Sequence, residues 1–160
     1  LVVEAVLASL GPWCARLEPG QEPRIVELPN VLHLHTPIRA EARPDTHLLD
    51  LLGALHPTPA VGGVPRAPAL GWIAEREQAG RGWYAGPVGW LDARGDGEMA
   101  VALRSGLVRG RKAWAWAGAG IVEGSSPEGE YEETTLKLQP LLHALGMEGT
   151  PAGGEADRAP

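Results

Sequence analysis

Apolar residues recur at Val2, Val3, Ala5, Val6, Leu7 and Leu10, then stop at Gly11-Pro12. That spacing predicts an amphipathic helix over 1–10, ended by the glycine and proline. Short extended runs and turn residues occupy Arg16 to Pro29. Val31 to Thr36 alternates. This predicts a strand with His33 and His35 on one face and Leu32 and Leu34 on the other. Asp45 is placed to cap a helix reaching Leu55. The prolines and glycines between His56 and Pro65 predict a shaped loop without regular structure. A helix is expected over 67–78, with Leu70, Ile73 and Ala74 inward.

Three strands are expected next, as an antiparallel meander: Trp83 to Leu91, Met99 to Val108 and Ala113 to Val122. Asp96-Gly97 is the first turn signal. Ser125-Ser126-Pro127-Glu128 opens a last helix, with a serine cap, a proline in the first turn and acids near the positive dipole end. It is expected to run through Lys137 and bend at Pro140. Residues 148–160 read as a polar, disordered tail. The order predicts an α+β fold: an antiparallel sheet meander with packed helices over 1–147.

Composition narrows the function classes. The 160 residues carry a net charge of −6, with 14 Lys and Arg against 20 acids. That balance argues against a general nucleic-acid binder. No stretch approaches a membrane span or a signal segment, so a cytoplasmic protein without membrane contact is expected. Cys14 is the single cysteine, which excludes an intrachain disulfide framework and any cysteine zinc cluster. It has no nearby base and is read as inert. Leu1 lies inside a helical pattern, so the chain is expected to be part of something longer.

Several residues can carry chemistry. Glu130, Glu133 and Lys137 are spaced i, i+3, i+7 and share one helix face. Two carboxylates one turn apart can hold a hard cation, and a lysine beyond them an anion; a solvated face with an i, i+4 pair is the plainer alternative. Arg104 is expected on a strand face with Ala100 and Ala102. There it either grips a carboxylate or reaches solvent. The run Ala117-Gly118-Ala119-Gly120 implies close backbone approach or a bulge. His33 and His35 are either metal ligands or hydrogen-bonded strand residues. Tyr84 offers a phenol to a ligand or serves as a sheet aromatic. Ser125 and Ser126 lack a hydrolase elbow and read as caps.

In their order these segments resemble the chorismate-utilising enzymes, the family of isochorismate, salicylate, anthranilate and aminodeoxychorismate synthases. The matching stretches are His33-Leu-His-Thr36, His56-Pro-Thr-Pro-Ala-Val-Gly-Gly63, Gly82-Trp-Tyr-Ala-Gly-Pro-Val-Gly89, Gly97-Glu-Met-Ala-Val-Ala-Leu-Arg104, Ala117-Gly-Ala-Gly-Ile121 and Ser126-Pro-Glu-Gly-Glu-Tyr-Glu-Glu-Thr134 with Lys137. The resemblance implies the C-terminal part of a larger chorismate-binding α/β sandwich. It implies carboxylate binding by Arg104 and Lys137, pocket roles for Tyr84 and Gly118, and an active-site role for His33. It makes Glu133 a magnesium ligand and Glu130 its neighbour in the metal's water shell. Ala60 stands where isochorismate synthases typically carry alanine, which implies isomerisation of chorismate to isochorismate for siderophore or menaquinone synthesis.

In that family a base lysine, an acid glutamate and a further magnesium glutamate precede the helix that begins here at Leu1. The missing N-terminal half is therefore an expected partner, and the meander is expected to show an unpaired edge and an uncovered face. The 160-residue chain alone is expected not to convert chorismate. The competing readings are a stand-alone module that docks on a separate N-terminal chain, and a salicylate-, anthranilate- or aminodeoxychorismate-type relative.

Overall fold

The computed structural model describes residues 2–20, 22–28, 31–77 and 80–147. The expected tail at 148–160 lies outside them. Contacts divide the chain into two units. One holds the chain up to Pro59 together with Trp90–Glu98; the other holds Ala60–Gly89 and the chain from Met99 onward.

In the first unit α1 spans Val2–Leu10 and passes into a single 3-10 turn, Gly11–Trp13, because Pro12 cannot continue the α-helix. Strand β1 (Cys14–Pro19) pairs antiparallel with β4 (Ile38–Ala42), with an irregularity between Cys14 and Arg16. Between them β2 (Arg24–Leu28) pairs with β3 (Val31–His35). The corner is tied by Arg43, whose amide and Nε donate to the carbonyls of Trp13 and Pro12 at 2.9 and 3.0 Å. Helix α2 spans Leu48–Leu55. Its cap is His47, not Asp45. His47 Nδ1 accepts from the Leu49 amide, and Asp50 accepts from the His47 amide at 2.9 Å. Asp45 instead takes a positive φ of 67° in the turn before it. Leu10 and Cys14 are buried here.

In the second unit, the loop after His56 contains one helical turn, α3 (Pro59–Gly62), which its prolines and glycines hid. Proline is well placed at a helix start, where its missing N–H has no partner to lose. Helix α4 spans Arg66–Arg76; Leu70 and Ile73 are half-buried, but Ala74 is exposed.

The α+β class with antiparallel sheets holds, but the meander is cut differently. Residues 82–85 form a turn, and β5 covers Pro87–Leu91. Strand β6 is Gly97–Val101, and the turn before it is built by Asp92, not by Asp96-Gly97. The expected strand from Met99 to Val108 is two strands, β6 and β7 (Ser105–Arg109). Ala102 still pairs with Ala85 and Gly86, but the Leu103 amide turns back to the Val101 carbonyl at 2.8 Å, and Arg104 has a φ of 53°. Arg104 is thus a bend residue and not a strand residue sharing a face with Ala100 and Ala102. Strand β8 (Lys112–Trp116) pairs antiparallel with β7 and ends before the glycine run.

Helix α5 spans Pro127–Ala144, with Ser126 Oγ accepting from the Gly129 amide at 3.1 Å. It continues past Pro140, and its Leu142 is buried. Its Leu141 packs so closely on β7 that a Cβ at Gly106 would meet it at 2.9 Å. Apolar surface stays open elsewhere: β5 is exposed along its whole length, and Ile25, Leu32 and Leu34 are exposed on one face of β2–β3. Each sheet among the described residues has two strands, so every strand has a free edge.

Candidate functional site

The second unit encloses a cavity of about 700 Å³. Four expected site residues meet on its wall: Ala60, Tyr84, Gly118 and Lys137. Tyr84 stands at the end of a turn in which its amide donates to the Arg81 carbonyl at 2.8 Å. Ala85 follows at a positive φ of 63° and is buried. Burial pushes the Tyr84 phenol above its ordinary pKa, and the Arg81 cation only partly opposes it. A phenol with the ordinary value of 10.0 is already a neutral donor at physiological pH, and burial reinforces that state.

Gly118 makes room for that phenol. A Cβ at Gly118 would stand 2.6 Å from the Tyr84 hydroxyl, so the glycine run marks a close approach of backbone to a side chain. The Gly118 carbonyl accepts from Lys137 Nζ at 3.1 Å, which ties α5 to the segment leaving β8. Lys137 Nζ also lies 2.6 Å from Glu133 Oε1. Glu133 is half exposed, so part of this pair faces water.

Glu130 is placed differently. One oxygen accepts from Ser125 Oγ, which itself accepts from the Val122 amide at 3.1 Å. The other oxygen, Oε2, is buried without a hydrogen-bond partner. A buried carboxylate oxygen with no donor is costly, and a cation is one group that would satisfy it. Glu130 and Glu133 are the carboxylates that could hold one. No cluster of three or more metal-ligating side chains occurs among the described residues.

Arg104 does not line the cavity; its neighbour Leu103 does. Among the described residues it makes no hydrogen bond or ion pair. His33 belongs to the first unit, where it is exposed on β3 opposite Val26, with His35 opposite Arg24 on the same face.

One wall residue escaped the sequence reading. Arg81 forks onto the Glu77 carboxylate, with Nε and one terminal nitrogen each at 2.6 Å, and its other terminal nitrogen donates to the Val61 carbonyl at 3.1 Å. The i, i+4 spacing of Glu77 and Arg81 was the available signal. It was weak, because α4 ends at Arg76 and the two do not share a helix.

A protonated phenol, an ammonium group and the closely approached backbone at Gly118 suit a small anionic ligand, on a scaffold of antiparallel hairpins and packed helices. The chain belongs to the family of chorismate binding enzymes, whose profile matches residues 1–146. It is 48% identical over 148 residues to the isochorismate synthase MenF of Bacillus subtilis, and 48% identical over 149 residues to the salicylate biosynthesis isochorismate synthase of Pseudomonas aeruginosa. These matches cover 92% and 93% of this chain but 31% of each relative. Among solved structures, the Bacillus anthracis protein DhbC, assigned as a 2,3-dihydroxybenzoate-specific isochorismate synthase, superposes with a TM-score of 0.87 at 41% identity, covering 92% of this chain and 40% of that one. Anthranilate synthase component I from Streptococcus pneumoniae superposes with a TM-score of 0.79 at 31% identity, covering 86% and 32%. No helix among the described residues is long and apolar enough to cross a membrane.

Proposed function

We propose that this chain is the C-terminal part of an isochorismate synthase, which isomerises chorismate to isochorismate for siderophore or menaquinone synthesis. The carrying observation is the meeting of Tyr84, Gly118 and Lys137 on one cavity wall. Chorismate is a small dianion, and the wall offers donors and a cation to carboxylates. Ala60, at the same cavity, supports isomerisation over the reactions of anthranilate- or salicylate-forming relatives.

In this reading Lys137 holds a substrate carboxylate while the Gly118 carbonyl fixes its ammonium. Tyr84 donates a hydrogen bond from its neutral phenol. Arg104 holds carboxylate charge; its bend beside the wall residue Leu103 and its lack of an acid partner among the described residues suit that role. His33 serves the active site of the complete enzyme. Magnesium, when bound through Glu133 and Glu130, would neutralise carboxylate charge on the substrate ring. Water adds at C2 and the C4 hydroxyl leaves as water after protonation, so no redox cofactor is needed. The base lysine and acid glutamate for these transfers come from the rest of the catalytic domain.

The test is turnover by the full-length enzyme that contains this chain, supplied with chorismate, magnesium and an ammonium salt, with products separated by chromatography. Isochorismate is the expected product. Salicylate or anthranilate would replace the isomerase assignment, and unconsumed chorismate would overturn it.

A further inference from the structure

Arg81 joins several groups on the cavity wall. Its Nε and one terminal nitrogen grip both oxygens of Glu77, just past the end of α4. Its other terminal nitrogen donates to the Val61 carbonyl in α3, next to Ala60. Its guanidinium carbon lies 5.8 Å from the centroid of the Tyr84 ring. One planar group thus joins three separate segments of the wall.

A guanidinium whose fork is already filled by a carboxylate has little left to offer a substrate anion. The Glu77 hydrogen bonds hold the Arg81 pKa above its ordinary value, so the cation is permanent. A fixed cation near a ring orients that ring, and a donor on a carbonyl holds the turn that presents the next side chain. Resting on the proposed reaction, we propose that Arg81 is a positioning residue: it holds Tyr84 and the Ala60–Val61 turn in one arrangement, and acts on chorismate through them.

The kinetic test is a double-mutant cycle in the full-length enzyme, using Arg81→Gln, Tyr84→Phe and the pair, with Arg81→Lys as a fourth variant. Arg81→Gln is expected to lower kcat/KM by about tenfold to a hundredfold, as misplacement of a pocket group does. The pair is expected to lose less than the two single losses combined, because part of the Arg81 effect runs through the Tyr84 hydroxyl and part through the Ala60–Val61 turn. Arg81→Lys is expected to recover little, since a point charge cannot fill the fork. Fully additive losses, or full recovery with lysine, would overturn the proposal.

A second measurement is independent of the reaction. In the full-length enzyme the Tyr84 phenol is followed as the difference in ultraviolet titration between the protein and its Tyr84→Phe variant. Adding Arg81→Gln is expected to move the phenol's midpoint. An unmoved midpoint would overturn the coupling even if the enzyme proved active. A moved midpoint in a protein that ignores chorismate would support the coupling and sink only the substrate assignment.

Discussion

The hydroxyl of Tyr84 occupies the space that a Cβ on Gly118 would need, at 2.6 Å. Two segments far apart in sequence are thereby held to one geometry by the absence of a side chain. The crowded atom is the tip of Tyr84, so the ring can yield without disrupting backbone.

Gly118→Ala should therefore displace the phenol and leave the fold nearly intact. In the full-length enzyme the expected result is a fall in kcat/KM of about tenfold or more, with a small change in Tm. Steady-state kinetics beside a thermal melt checks this. Normal kinetics would mean that the reaction does not use the Tyr84 hydroxyl at that place.

Lys137 touches Gly118 and Glu133, and its partner Glu133 is half exposed. Such a pair contributes about 0–1 kcal/mol to stability. Lys137→Gln is expected to cost little in Tm and to abolish measurable turnover. A large loss of Tm with activity retained would make the lysine structural.

Glu130 bears the buried oxygen without a donor. In metal-free buffer Glu130→Gln is expected to melt at or above the parent temperature, because a charged group leaves a poor site. If both glutamates serve magnesium, added magnesium should raise the parent's Tm, Glu133→Gln should lose that rise, and Glu130→Gln should weaken it. A rise equal in all three proteins would remove these glutamates from the metal site.

Ala60 is exposed at the cavity on α3. Ala60→Thr is expected to alter the product ratio from chorismate more than it alters Tm, because the added hydroxyl enters the pocket and crosses no packed core. Chromatography of the products decides it; an unchanged ratio with retained activity counts against position 60 as a determinant of reaction type.

The Tyr84 phenol titrates above the ordinary 10.0 in the folded chain. Its contribution is fully present below that ordinary value. As pH rises through it, the unfolded chain loses its proton first, and stability falls until the folded phenol also ionises. Stability curves across this alkaline window should be flatter for Tyr84→Phe than for the parent.

Spacing and end signals along the chain were enough for the local elements. Helix α1 ends at its Gly-Pro, α5 starts after its Ser126 cap, and β3 alternates its leucines and histidines between two faces, because caps, prolines and period-two patterns act within a few residues. The ordered motifs also carried the family, since each is short and contiguous. Other features were decided only by tertiary contacts. The His47 cap is itself local, but the turn that puts Asp45 at positive φ is anchored by the Arg43 amide and the Thr46 hydroxyl on the distant Trp13 carbonyl. The long second strand broke at Arg104 because Ala102 pairs with Ala85 and Gly86, residues far back in the chain, while Leu103 folds onto Val101. Arg81 acquired its role from Glu77, Val61 and Tyr84 together, and one Glu130 oxygen is left buried without a donor while Ser125 bonds the other. The one-dimensional pattern named the chemistry available; packing and hydrogen bonds between distant segments chose which of those groups face one another.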